Sequence, residues 1–248
     1  MKITNTLICY LVGILFLSAS LVSQASPKIV GFAFSEKTGK SLYQETHSFN
    51  GNQHQVVYQN QSGVFAKKTI TTNSSSFTPN IEFSSQYCDE YYRVDVNKQL
   101  LDIHYRNSCS RKNFKKQLSM QLPFIVDAGF NPYIISLLKR GGLDIQSTFN
   151  FPLITRAKSV ALVARSISCN KLLNNIKKIK FDNKVQLQSY PVKYCLVIKP
   201  DNWFLAQLAK PIMIGYDQNR NLTVYTGKAN FSDQNGQYQN TVILYQQN

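Results

Sequence analysis

Acidic residues are scarce in this 248-residue chain: 13 Asp and Glu stand against 28 Lys and Arg, for a formal net charge of +15. Histidine is scarcer still. His47, His54 and His104 are the only three, they fall in different strand-like segments, and none has the spacing of a zinc site or of HExxH. No GxSxG elbow and no Gly-rich phosphate loop occurs, and Lys139-Arg140-Gly141-Gly142 reads as a helix exit. The cysteines lack the close CxxC or CxxxxC spacing of metal and redox sites. Glycosidases need two carboxylates at a set separation, but the adjacent pair Asp89-Glu90 would point to opposite faces of a strand and reads as solvated edge charge. From these absences we predict no catalytic residue, no metal site and no cofactor; an exported hydrolase is the enzymatic alternative.

One long apolar run is present, at the N-terminus. Lys2 is the only charge before Lys28, Leu7 to Leu17 is apolar apart from Gly13, and Ser23-Gln24-Ala25 gives a small-x-small exit. A positive start, an apolar stretch of roughly 7–15 residues and such an exit define a secretory leader. Cleavage is expected between Ala25 and Ser26, giving residues 1–25 as signal peptide and 26–248 as a single β-rich domain in the periplasm or otherwise secreted. The alternative, an uncleaved anchor, meets the objection that the run is shorter than the roughly 20 residues a spanning helix needs. No later segment is long and apolar enough to span a bilayer as a helix.

Export changes the meaning of the other features. A basic domain often signals nucleic acid, but outside the cytoplasm anionic lipid head groups or acidic envelope polymers are the expected partners. Cys88, Cys109, Cys169 and Cys195 follow the leader, and an even number in an exported chain predicts disulfides.

Strand signals dominate the rest. Lys28–Phe34 and Ser41–His47 flank a Gly-containing loop, as do His54–Tyr58 and Val64–Thr71. Tyr92, Val94 and Val96 alternate with polar residues, and so do Leu101, Ile103 and Tyr105, the mark of a sheet with one buried face. If Asn97–Leu100 forms a four-residue loop, Val96 faces Leu101, Val94 faces Ile103, Tyr92 faces Tyr105, and the same register sets Cys88 opposite Cys109. A two-residue loop at Asn97-Lys98 is the competing register; it sets Arg93 against Asp102. Further strands are expected at Leu143–Phe151, Lys158–Arg165, Tyr194–Ile198, Ile212–Tyr216, Leu222–Tyr225 and Tyr238–Tyr245, with a turn at Asp233-Gln234-Asn235-Gly236 before the last. Asn131-Pro132 opens the clearest helix, with Phe130, Tyr133, Ile134, Leu137 and Leu138 at helical spacing. Asn170–Lys184 fits either a helix or the start of a strand. Asp201 caps a short helix carrying Trp203, Phe204, Leu205 and Leu208.

Two basic clusters stand out: Arg111, Lys112, Lys115 and Lys116, then Lys177, Lys178, Lys180 and Lys184. Each is either a solvated face or a contact for an anionic surface, toward which each Lys or Arg contributes about 1 kcal/mol. The abundant Tyr and Phe fill a core or line a cavity able to hold an acyl chain.

The pattern Tyr216-Asp217-x-x-Arg220-x-Leu222-x-x-Tyr225-x-Gly227-x-x-Asn230, followed by Gly236, resembles the C-terminal region of uncharacterised bacterial periplasmic proteins. Lys199 to Trp203, Gly129-Phe130 to Pro152, and Gly39-Lys40-Ser41-Leu42-Tyr43-x-Glu45-x-His47 are similar to the same group, whose function is unknown. Their layout is similar to that of lipoprotein-carrier (LolA-like) lipid-binding domains. The resemblance implies a mainly β (α+β) fold: a single curved antiparallel sheet or half-barrel with an apolar concave face under one or two short covering helices. The expectation is a non-catalytic module for a lipid or other apolar ligand, with Tyr133, Leu137, Trp203, Phe204 and Leu208 as liners. The alternative is an envelope interaction protein with a filled core, contacting anionic surfaces or partner proteins.

Overall fold

The computed structural model describes residues 29–182, 187–202 and 210–247. The leader, Lys184 and the segment carrying Trp203, Phe204 and Leu208 lie outside the described residues. Within them, alternating apolar and polar residues build fourteen strands. The first eight are β1 (Ile29–Ser35), β2 (Ser41–Asn50), β3 (Gln53–Asn60), β4 (Gly63–Thr71), β5 (Asn80–Ser85), β6 (Tyr91–Asn97), β7 (Leu100–Asn107) and β8 (Lys112–Ser119). The remaining six are β9 (Gln146–Leu153), β10 (Lys158–Ser166), β11 (Tyr194–Pro200), β12 (Ile212–Tyr216), β13 (Leu222–Lys228) and β14 (Asn240–Gln247).

All fourteen join one antiparallel sheet, in the order 8-7-6-5-4-3-2-1-14-13-12-11-10-9. Two meanders therefore meet where β1 pairs with β14 at the middle of the sheet. The edges, β8 and β9, are consecutive in sequence and do not pair with each other. Irregular pairing in β1, β3 and β12 adds local bends. The chain leaving β8 runs along the far edge instead: Ile125 N–H donates to Asn150 O, Asn150 N–H to Pro123 O, and Phe124 makes a parallel bridge with Asn150. Lys112 Nζ donates to the carbonyl of Thr155, just after β9. The sheet is thus barrel-like in its curl, with a seam bridged by connecting chain.

The hairpin of β6 and β7 takes the register that sets Val96 against Leu101 and Tyr92 against Tyr105, and the ladder runs one pair further, to Asn97 and Leu100. The Cys88–Cys109 disulfide forms beyond its end, and a second joins Cys169 to Cys195.

Two short helices lie on opposite faces of the sheet. Helix α1 (Phe130–Gly141) packs Tyr133, Ile134, Leu137 and Leu138 against Phe149, Ala164, Leu196, Ile198, Ile214 and Tyr216 on the inner face. Asn131 does not cap it. A 3-10 turn at Asp127–Gly129 runs straight into the helix, and Asn131 Oδ1 accepts from the Tyr216 hydroxyl. Helix α2 (Cys169–Lys177) makes the first part of the ambiguous basic stretch helical and buries Leu172 and Ile176 on the outer face, over Phe34, Met213, Val224, Val242 and Leu244. Gly215 makes room for it: a Cβ there would lie 2.6 Å from Val192 and 3.0 Å from Leu172.

One end of the curl is corked. The β13–β14 connection, residues 229–239, drops Phe231 among Tyr43, Tyr58, Phe65 and Phe83. Glu90 holds the cork. Its carboxylate is buried and accepts from the Tyr238 hydroxyl (2.5 Å), Ser232 N–H and Oγ (both 2.8 Å) and the Tyr105 hydroxyl (3.2 Å). Asp89 does point away, into an exposed pair with Arg106, but Glu90 is not edge charge. The two carboxylates do diverge, but not by strand alternation: Asp89 ends the 3-10 turn Tyr87–Asp89 with φ 45° and Glu90 follows it, ahead of β6.

Candidate functional site

The other end of the curl opens into a cavity of about 690 Å³. The inner face of β2 descends through it as Phe49, His47, Glu45 and Tyr43, from the β2–β3 turn down to the Phe231 cork. Val56 and Tyr58 of β3, Lys68 and Ile70 of β4, Tyr225 of β13, and Ile243 and Tyr245 of β14 complete the wall. The first turn of α1, at Phe130, Asn131 and Pro132, with Ile135 above it, forms the remaining side.

Much of the wall is apolar and aromatic; Asn52, Gln53, Asn73, Lys228, Asn230 and Gln247 also line it, and two polar networks cross it. In the first, His47 Nε2 lies 3.1 Å from Glu45 Oε1, and His47 Nδ1 lies 2.9 Å from His54 Nε2. His54 stacks between Phe49 (ring centroids 4.3 Å apart) and His47 (5.1 Å). Burial, reinforced by the neighbouring His47 and Lys68, pushes His54 down to about 3, so its ring is neutral at ordinary pH. Burial alone would raise Glu45; the His47 hydrogen bond and charge, the Tyr245 hydroxyl and Lys68 more than offset it and hold the carboxyl below its usual value. An ionised carboxylate only accepts, so the shared proton between Glu45 and His47 sits on His47 Nε2. Gly31 of β1 lies between Glu45 and Tyr245, and a Cβ there would sit 2.7 Å from one side chain and 2.8 Å from the other. The missing side chain lets a β2 carboxylate and a β14 phenol meet across β1.

In the second network Lys68, 4% exposed, puts Nζ 2.8 and 3.2 Å from the two oxygens of Asp127, and the Tyr92 hydroxyl donates to the same carboxylate at 3.1 Å. Asp127 belongs to the 3-10 turn that leads into α1, so this pair ties the connecting chain to the wall of β4 and β6. Charge cancels within the pair.

Of the residues expected to line a site, Tyr133 and Leu137 are buried between α1 and the sheet, next to the cavity and not among the residues that line it. The adjacent strip of the helix, Asn131 and Ile135, lines it instead. Trp203, Phe204 and Leu208 fall outside the described residues. Lys177, Lys178 and Lys180 are exposed at and beyond the end of α2, on the opposite side of the sheet from the cavity, and Lys184 is outside the described residues. The cluster at Arg111 to Lys116 lies at the start of β8, an edge strand. The residues that distinguish the cavity, Glu45, His47, His54, Lys68 and Asp127, carry no spacing motif. The one legible trace was period two: residues 43, 45, 47 and 49 share a face, and polar side chains at 45 and 47 on the face that carries Tyr43 and Phe49 break its apolar pattern.

No protein-family model matches the chain, and no curated protein matches it. Among solved structures it is similar to a beta-barrel-like protein of a domain of unknown function, DUF1849, from Brucella abortus, at TM-score 0.48 and 10% identity, over 90% of this chain and 96% of that one.

Proposed function

We propose that the chain is an exported, non-catalytic carrier or receptor for an apolar or amphipathic small molecule, bound inside the curl of the sheet. The observation that carries the reading is the open cavity of about 690 Å³ between the Phe231 cork and the β2–β3 turn. Its volume lies in the range of small-molecule sites, roughly 300–1,000 Å³, and so does its makeup of aromatic and aliphatic wall with a few placed polar groups. Burial of apolar ligand surface would drive uptake at about 25 cal/mol per Å². This is the class of role that the resemblance to lipoprotein carriers implies. The two disulfides suit an oxidising location, and a leader cut between Ala25 and Ser26 would deliver the chain to the periplasm or beyond.

Native mass spectrometry of protein purified without detergent from its own cell envelope should find a co-purifying small molecule, and an uncharged fluorescent apolar probe should be taken up. Val56→Trp, which fills the cavity from the β3 wall, should suppress uptake with the fold intact by circular dichroism. Bare protein that takes up no probe would defeat the reading.

A second contact, with an anionic surface, is favoured by one local arrangement. The β1–β2 loop packs on the chain beyond α2: Asp182 N–H donates to Gly39 O, and Ser41 N–H donates to Asp182. The exposed Lys37 and Lys40 are thereby brought to the same region as Lys177, Lys178 and Lys180. Co-sedimentation with vesicles containing phosphatidylglycerol should weaken steeply with added salt. It should vanish when Lys177, Lys178 and Lys180 are all changed to Glu; retention of full binding would remove this contact.

A further inference from the structure

We propose that the cork is a redox gate: reduction of the Cys88–Cys109 disulfide frees residues 229–239 and joins the cavity to a second chamber at the corked end. The gate goes beyond the carrier reading, on which only its transport readout rests.

Phe231 does not stand on solid core. Beyond it lies a chamber of about 270 Å³, whose walls include Asn60, Phe65, Tyr87 and Gln237. Tyr43, Ala229 and Phe231 line both spaces, so the cork is the partition between them.

The partition is held by a frame that one disulfide fixes. Glu90 accepts from Ser232 N–H and Oγ, and Asn107 Nδ2 donates to the same hydroxyl at 3.2 Å. Glu90 follows the 3-10 turn at Tyr87–Asp89, and Asn107 ends β7. The Cys88–Cys109 bond ties that turn to the connection leaving β7. It also touches the cork itself. Cys88 Sγ lies 3.5 Å from Asp233 O, and a Cβ on Gly236 would sit 2.8 Å from Cys109 Cβ and 3.7 Å from either sulfur. Tyr87, Cys88 and Glu90 thus place a wall of the second chamber, the disulfide and the latch within four residues. Cys88 and Asp89 have φ of 55° and 45°, in the left-handed region where a residue other than Gly is strained. Cutting the disulfide lets this turn relax and carries Glu90 away from Ser232.

Of the two disulfides this is the accessible one: Cys109 is exposed, whereas Cys195 of the other pair is 4% exposed. An exported dithiol reductant would attack Cys109 Sγ as its thiolate, forming a mixed disulfide and releasing the Cys88 thiolate. Its second thiol then breaks the mixed disulfide and frees Cys109. The protein gains two electrons and two protons, and the reductant leaves as a disulfide.

The test is hydrogen exchange read by mass spectrometry on the full chain, treated with dithiothreitol until one disulfide has opened. Alkylation should locate the new thiols at Cys88 and Cys109. In that species the peptide covering residues 229–239 should exchange about tenfold or more faster than in the oxidised chain, with β1 and β10 to β14 unchanged. Cys88→Ser with Cys109→Ser should reproduce the change without reductant. An uncharged fluorescent apolar probe loaded beforehand should escape faster from the reduced protein. Opening of Cys169–Cys195 first, no change at 229–239, or an equal rise across the whole sheet overturns the gate. A loosened cork with an unchanged escape rate overturns it too and leaves the carrier reading in place. If the cork loosens as expected in a protein that takes up no probe, the carrier reading falls and the redox-released cork stands.

Discussion

Lys68 and Asp127 test how far buried charge organises this interior. Both sit in an apolar environment, and the pair joins β4 to the turn that starts α1. Breaking such a pair from one side leaves a stranded charge and typically costs about 3–5 kcal/mol, whereas replacing both members with apolar residues is often neutral. Lys68→Met alone should therefore lower the denaturation midpoint sharply, and Lys68→Met with Asp127→Leu should recover much of the loss. Equal damage from the single and double variants would show that the carboxylate matters through Tyr92 instead. His54 makes a second prediction at this scale. Its folded value, about 3, lies below its ordinary 6.5, so the unfolded chain binds the proton more readily. Stability from this group is full above pH 6.5 and is lost as pH falls toward 3. By pH 5 the loss reaches about 2 kcal/mol. That window lies above most carboxyl titration, and comparing urea midpoints between pH 7 and 5 for the parent chain and a His54 variant separates the effect from the other two histidines. His54→Gln should flatten the slope over this interval.

At the level of elements, the cork shows what a turn signal can and cannot reveal. Asp233-Gln234-Asn235-Gly236 reads as a turn, and it is one: Asp233 accepts from the N–H groups of Asn235 and Gln237 and from the Gln239 amide. Burial would raise its carboxyl, and these three donors outweigh it and hold the value below the usual range. Nothing local announces that the residues just before the turn enter the barrel, because the partners of Phe231 and Ser232 lie at least 125 positions away, on β2 to β5, at Glu90 just before β6 and at Asn107 on β7. The same limit governs α1 and α2. Periodicity located α1 and its buried face, and left open which face of the sheet it covers; only sheet order decides that. Strands with strict alternation, β6 and β7 above all, were legible with their register. β5 and β8 were not, the first because its inward face is only Ile81 and Phe83 with a buried Ser85, the second because its inward positions include Lys112 and Lys116. Removing the Phe231 side chain should cost about 3–5 kcal/mol, the range for a buried Phe cut to Ala. Because the ring also floors the cavity, Phe231→Ala should admit longer alkyl chains than the parent protein does, measurable as a shift in the chain-length optimum of probe displacement.

The whole molecule has an unusual problem, since fourteen strands curl around an interior without closing, and two edges remain. An exposed edge pairs with other chains unless something blocks it, and inward-pointing charge on the edge strand is one such block. On β9 the block is the segment at Pro123 to Ile125, which takes up the backbone groups of Asn150. On β8 it is the basic cluster itself: Lys112, Phe114, Lys116 and Leu118 share the inward face, opposite Asn107, Tyr105, Ile103 and Leu101 of β7. Lys112 reaches across the seam to Thr155, and Lys116 lies 5.7 Å from the Phe114 ring. These lysines therefore keep the seam from becoming a docking edge, a role distinct from that of the lysines near α2. Changing Lys112 and Lys116 to Val should leave the monomer folded at low concentration, because neither is buried, but give it a continuous apolar edge. Light scattering after gel filtration should then show concentration-dependent dimers or larger species, which a Pro placed at Lys115, on the outward row of the same strand, should suppress. A variant that stays monomeric at high concentration would mean that the curl of the sheet shields the seam by itself.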